Sequence, residues 1–325
     1  MKIYYPDYYP SFQCLAAACP DSCCHEWEVD IDEETAARYR SLPGELGDAL
    51  RQVLKDTPEG TSMAIVDRRC PMWRQDGLCR IQAELGHQAL CKTCREFPRI
   101  SHDYGTFTEY DLELSCPEAA RLILSWDGTL VETTQPGGSE PEYDESDMAF
   151  LLESRKTALN YLNETNDSPA HILAKLLTYG EALQEQWDGG KNASFPKAVS
   201  LSRTPASPTP LFAYFSGLEI LTEEWKALLQ SPPKATRLPI ETKALLRYFI
   251  SRHWLQAISD FDLLGRTCFC VAACILIGSL CAPIERAAQL FSKEIENNIE
   301  NLYAFLDGTY TEPALSVDSL RNFIS

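Results

Sequence analysis

Cysteine placement constrains this chain more than any other feature. Thirteen of its 325 residues are cysteine; nine fall between Cys14 and Cys116, and four between Cys268 and Cys281. The opening Met1-Lys-Ile-Tyr-Tyr-Pro-Asp-Tyr-Tyr-Pro10 carries one lysine and no apolar run, unlike a secretory signal. The expected compartment is therefore the cytoplasm, where thiols stay reduced. Nine is odd, so simple pairing leaves one thiol over. Such a density in a reducing compartment reads as metal binding or redox chemistry, not as a disulfide framework.

The nine form three groups. The first is Cys14-x4-Cys19-x3-Cys23-Cys24, followed by His25. The second is Cys70-Pro-Met-Trp-Arg-Gln-Asp-Gly-Leu-Cys79, with an Asp76-Gly77 turn between its thiols. The third is Cys91-x2-Cys94, with Cys116 further on. A four-iron cluster wants four thiolates from loops that fold around it. A closed zinc site wants two Cys-x2–4-Cys knuckles. Here Cys91-x2-Cys94 has the usual tight spacing, Cys19-x3-Cys23 is close to it, and the adjacent pair Cys23-Cys24 suits a zinc ribbon poorly, so the pattern favours a cluster, with zinc the alternative. Nine thiols also exceed one centre's needs, leaving either two centres or some thiols outside the ligand set. Cys91 is the first choice as non-ligand. His25, His87 and His102 are further possible ligands, each more commonly a surface residue.

The rest of the chain sets the frame. A stretch rich in Pro, Gly and acid, residues 135–146, reads as a linker. It separates a cysteine-rich domain, 1–134, from a helical domain, 147–325. The fold class expected is mainly α, an irregular cysteine-rich N-terminal domain with short strands plus an all-helical C-terminal domain. In the first part, short strands are predicted over 26–32 and 106–114. Helices are predicted over 33–42 and 45–55, over 81–97 with a break near Gly86, and from Pro117 to Trp126. Further helices are predicted over 147–163, from Ser168-Pro169 through Leu183, and over 211–230, 239–260 and 284–306. Residues 268–284 form a run of 17 without charge, too short for a usual span of ~20 residues. It reads as a buried central helix whose cysteines are small core residues, peripheral membrane contact being the alternative, and a Cys270/Cys274 metal pair a further one. Hydrophobic residues at 45% support a real core. A net charge of −18 argues against nucleic acid as a partner and suits a basic target such as a lysine on another protein.

The cysteine groups and their surroundings resemble the flagellin lysine-N-methylase family, within the broader YkgJ-type cysteine-cluster proteins. The resemblance runs through Cys14…Cys19-Pro-Asp-Ser-Cys23-Cys24-His-Glu-Trp27, Cys70-Pro…Gly77-Leu-Cys79-Arg-Ile-Gln82, Glu84-Leu-Gly86, Thr93-Cys-Arg-Glu-Phe-Pro-Arg99 and Leu114-Ser-Cys-Pro-Glu-Ala-Ala-Arg-Leu122, in the family's order. It covers about residues 10–125; the helical part is only loosely similar. It implies a cytosolic enzyme that transfers methyl groups from S-adenosylmethionine to flagellin lysines and carries an oxygen-sensitive [4Fe-4S] cluster. The ligand candidates it implies are Cys14, Cys19, Cys23, Cys24, Cys70, Cys79, Cys94 and Cys116.

Methylation requires the neutral amine, and a free lysine has a pKa of ~10.4, so a site must desolvate the ammonium or supply a base. Aromatic faces suit both the ammonium and the sulfonium. Tyr4, Tyr5, Tyr8, Tyr9, Phe12, Trp27, Tyr104 and Tyr110 are candidates for such a wall, the plainer reading being ordinary packing. No glycine-rich dinucleotide-type loop follows a strand, and after Cys19-x3-Cys23 the third position of a radical-type triplet is Glu26. The cofactor site and any catalytic base are thus unassigned. The rival class is a non-enzymatic iron–sulfur or zinc module, such as a cluster carrier, sensor or electron-transfer protein.

Overall fold

The computed structural model describes residues 1–25, 29–58, 60–202, 204–234 and 238–324. In chain order the first part forms β1 (Lys2–Pro6), β2 (Val29–Ile31), α1 (Glu33–Ser41), α2 (Gly44–Val53), β3 (Leu54–Thr57), β4 (Gly60–Met63), α3 (Arg80–Leu85), α4 (Lys92–Glu96), β5 (Arg99–Asp103), β6 (Phe107–Leu112), α5 (Pro117–Leu124) and β7 (Leu130–Thr134). Asp32 starts α1 by accepting the N–H of Thr35 at 3.0 Å, with Glu33 and Glu34 in the first turn and Arg38 and Arg40 in the last. The predicted helix break near Gly86 is present: α3 stops there and a 3-10 turn, His87–Ala89, leads to α4. Residues 26–28 of the predicted strand 26–32 lie outside the described residues.

The remainder is helical: α6 (Glu145–Glu164), α7 (Pro169–Trp187), α8 (Thr209–Ser216), α9 (Glu223–Gln230), α10 (Thr242–His253), α11 (Leu263–Ser279), α12 (Ile284–Phe291), α13 (Ile299–Thr311) and α14 (Val317–Phe323). Ser168 caps α7 and Pro169 opens it. Two predicted helices are interrupted. The run 211–230 breaks before Thr222, whose hydroxyl caps α9, because the buried Glu294 carboxylate accepts the N–H groups of Leu221 (2.7 Å) and Thr222 (2.8 Å). The run 284–306 is broken by a π-turn, Ser292–Glu296, after which Asn298 caps α13. The fold class is mainly α, as read from the sequence.

The chain folds as two compact units. A cysteine unit comprises Phe12–Ile100 and Cys116–Ala119; a helical unit comprises Met1–Ser11, Ser101–Ser115 and Ala120–Ser325. The acid-rich stretch 135–146 lies wholly within the helical unit. The N-terminal strand does too, because β1 is central in the sheet β5-β6-β1-β7, parallel to β6 (Lys2↔Phe107) and antiparallel to β7 (Lys2↔Thr134). Around α11 pack α7, α10, α12, α13 and α14. Cys268, Cys270 and Cys274 are buried there as small apolar groups, their thiols pushed up by burial. Among the described residues no helix is long and apolar enough to cross a membrane. In the cysteine unit, β2-β4-β3 form an antiparallel sheet, and α1 and α2 supply Tyr39, Leu46 and Leu50 to its core.

Gly180 of α7 meets α11 so closely that a β-carbon would lie 2.6 Å from Thr267 Cγ2. A methyl gains ~1 kcal/mol of helix propensity but costs ~1–3 kcal/mol in overpacking. Gly180→Ala should therefore lower stability by up to ~2 kcal/mol, read as a fall in urea midpoint at unchanged slope. A second prediction concerns Asp111, which burial pushes up to about 7 against the opposing hydrogen bond from Tyr8 (2.5 Å). Its folded value exceeds the unfolded ~3.9, so its contribution is complete below ~pH 4 and is lost as pH rises through about 7. Asp111→Asn should match the native chain in denaturation at pH 4.5 and exceed it at pH 8.

Candidate metal centre

All nine N-terminal cysteines belong to the cysteine unit. Cys70 and Cys91 are buried members of its apolar core, and Cys24, Cys79 and Cys94 pack against that core. All are free thiols. The sequence brings them together by local means. Between Cys70 and Cys79 the chain reverses at Gly77, in the left-handed region at φ 81°, and Arg80 N–H donates to Met72 O at 2.7 Å. The Cys91–Cys94 turn is clamped by the second carboxylate oxygen of Asp32, which accepts Lys92 N–H at 2.8 Å. Thr93 adds a hydroxyl bond to Asp30 O at 3.0 Å. Although burial works the other way, the N–H bonds from Lys92 and Thr35 hold the Asp32 carboxyl below its ordinary range.

Six thiols form one interacting set. Cys24 interacts with Cys23 and Cys70, and Cys91 interacts with Cys94. Cys79 feels Cys23 and Cys91; Cys94 feels Cys23 and Cys24. A second set comprises Cys14, Cys19 and Cys116, with Cys19 also feeling Cys23. Cys91, first choice as a non-ligand from sequence, thus sits inside the larger set, and its Cys-x2-Cys spacing with Cys94 was the signal for it. Protons are shared unevenly. Cys70 is lowered by its bond to Cys24. Cys24, despite the opposing bond to Cys23, is pushed up to about 12 by its bond to Cys70 and then by burial. Cys91 is lowered by its bond to Cys94, and Cys94 is raised by the same bond.

Backbone N–H groups are directed at these sulfurs. Ala16, itself left-handed at φ 49°, donates to Cys14 Sγ at 3.4 Å. Burial raises Cys19, Cys79 and Cys116, the last to about 11, against opposing N–H groups of Asp21, of Ile81 with Gln82, and of Glu118 with Ala119; Cys70 and Cys91, lowered chiefly by neighbouring thiols, also meet the N–H groups of Met72 and Cys94. Those at Cys79 and Cys91 stop short of closed helix caps. This donor chemistry fits a soft metal or cluster, whose ligands must be thiolate. Among the described residues no three Cys, His, Asp or Glu side chains are already closed around one point, so ligation would draw the sulfurs inward. Beside Cys70 an open cavity of ≈ 730 Å³ is walled by Arg69 and Trp73, the guanidinium lying 4.6 Å from the ring centre.

The remaining candidates fall elsewhere. His25 packs edge-on against Trp73 at 4.9 Å, His87 is exposed, and His102 belongs to the helical unit, where it hydrogen-bonds Gln256. Cys270 and Cys274 are sealed in α11. The N-terminal aromatics mostly pack as structure: Tyr8 is buried edge-on to Trp126, Tyr4 meets Phe107, Tyr9 meets Tyr5 and Tyr110, and Arg99 covers Phe12. Tyr104 is stacked on Phe107. Trp27 lies outside the described residues.

Among known proteins, a flagellar biosynthetic protein FliU of Salmonella muenchen is 31% identical over 127 residues, 37% of this chain and 75% of that protein. The chain belongs to the lysine-N-methylase family. Proteins named Lysine-N-methylase from Salmonella choleraesuis and Salmonella typhimurium are 26% identical over 194 and 191 residues, in each case 54% of this chain and 47% of the relative. The chain thus spans about half the length of these curated lysine-N-methylases. No family model and no solved structure matches it.

Ligation predicts a specific labelling pattern. Cys14 and Cys23 are exposed, so burial alone cannot shield them. In anaerobically purified protein they should resist iodoacetamide, and become labelled after chelation, as read by peptide mass mapping. The exposed Cys281 should be labelled in both states.

Proposed function

We propose that this protein is a protein-lysine N-methyltransferase that uses S-adenosylmethionine, acts on flagellin, and carries a [4Fe-4S] cluster in its cysteine unit. The observation that carries the reading is the gathering of all nine N-terminal thiols in one unit, with backbone N–H groups on their sulfurs, in a chain of the lysine-N-methylase family. Relatives named for lysine methylation and for flagellar biosynthesis support the reaction and the substrate.

The larger set, Cys23, Cys24, Cys70, Cys79 and Cys94 with Cys91, would hold the cluster; Cys14, Cys19 and Cys116 would complete it or hold a second centre. When bound, such a cluster supplies a redox-active, Lewis-acidic iron centre. The chain's own part is to direct backbone N–H groups at the sulfurs and to keep the turns fixed. Asp32 does the second by joining the start of α1 to the Cys91–Cys94 turn. Backbone donors near the sulfurs would favour the thiolate form as binding draws the ligands inward and releases their protons.

Incubation of the anaerobic protein with flagellin and S-adenosylmethionine should add methyl mass increments of 14 Da on lysine, by the chemistry of replacing N–H with N–CH3. Cys94→Ser should abolish transfer, losing at least ~100-fold of the rate in keeping with loss of a metal ligand or its outer shell. Cys281→Ser should leave it unchanged. Iron incorporation without any transfer to lysine would instead favour a cluster carrier or sensor.

A further inference from the structure

The helical unit carries a cavity that the cysteine chemistry does not use. Its volume is ≈ 1050 Å³, and it is formed by residues 101–105, by the acid-rich stretch 139–144 and by residues 256–261. Four carboxylates line it: Asp103, Glu140, Glu142 and Asp144. Among the described residues no lysine or arginine lines it. Two of the carboxylates are already engaged. Asp144 caps α6, and Asp103 accepts Gly105 N–H at 2.9 Å. Glu140 and Glu142 are exposed.

Aromatic groups frame the acids. Tyr143 is held by its hydroxyl, which donates to Tyr104 O at 2.8 Å. Phe261 is 57% exposed and left-handed at φ 59°, an unusual state for a bulky residue. In the wall, Gln256 bonds both His102 Nδ1 and Tyr104 Oη at 3.0 Å, while His102 Nε2 is buried with no hydrogen-bond partner. A buried polar nitrogen in a cavity wall calls for a partner. Burial, then Arg252, His253 and Arg155, hold the imidazole neutral by pushing its pKa down to about 4. The lining therefore carries negative charge without a cationic side chain, beside aromatic faces that attract cations.

We propose that this cavity binds the lysine side chain and flanking polypeptide of the protein substrate. The ammonium would lie among the carboxylates and aromatic rings. The proposal rests on the lysine-methylation reading and adds where the substrate is recognised.

The test measures binding and transfer separately on the full chain. The probe is a fluorescent flagellin peptide with one lysine, alongside the same peptide acetylated on that lysine. The proposal expects the free-lysine peptide to bind, acetylation to weaken it, and Glu140→Gln/Glu142→Gln to weaken it about tenfold, two partly exposed charge contacts being lost. In transfer assays the double variant should raise KM about tenfold with little change in kcat. Thermal unfolding of the variant should match the parent, since neither glutamate lies in a helix or strand; Tyr143→Ala gives an independent probe of the same wall and should also weaken binding. No peptide binding, or binding that ignores acetylation and both variants, overturns the cavity even if flagellin is methylated. Peptide binding that depends on Glu140 and Glu142, without methyl transfer to any lysine, upholds the cavity and overturns the proposed reaction.

Discussion

The cysteine unit depends on thiols that are core residues and candidate ligands at once. Cys70 and Cys91 fill the same buried cluster as Tyr39, Leu50 and Ile81. A thiol packs there as a small apolar group, but a thiolate in that place needs compensation. N–H groups from Met72 and Cys94 give part of it, and a metal would give the rest. The unit is small, with a correspondingly modest core. In the proposed account, ligand binding and folding are one equilibrium, as in other small metal-stabilised domains.

The helical unit solves its packing by ordinary means. Its central helix, α11, is buried on all sides and needs no membrane or metal to cover it. Several of its buried charges are matched: Arg155 is paired with Glu109, Glu294 accepts the N–H groups of Leu221 and Thr222, and Glu296 meets His253 at 2.8 Å. Against that background the acidic cavity stands apart, because its carboxylates face no cation within its lining. Chemistry on lysine requires a place for a cation, and in the proposed account this cavity supplies it.

Much of this was legible in the sequence where local chemistry decided the outcome. Caps at Asp32 and Ser168, the turn at Asp76-Gly77 and the buried run in α11 follow from short-range signals. Misses came where distant groups decided. β1 was not foreseen because its partners lie more than 100 residues away, and β3, β4, β5 and β7 are short and polar. The break before α9 depends on Glu294, which is some 70 residues further on. Cys91 lies beside Cys94 in the thiol set, a nearness that its Cys-x2-Cys spacing already shows. The acid-rich stretch looked like a tether, since nothing in its composition reveals that Asp103 and Phe261 face the same cavity.

The central claim is that the gathered thiols hold an inorganic core. Mössbauer spectroscopy of iron-57-labelled protein, purified without oxygen and paired with acid-labile sulfide analysis, tests it most directly. The account predicts iron and sulfide in equal amounts, with the quadrupole doublets of a [4Fe-4S] centre. A colourless protein without iron or sulfide, and with the cysteine unit still folded, would contradict it.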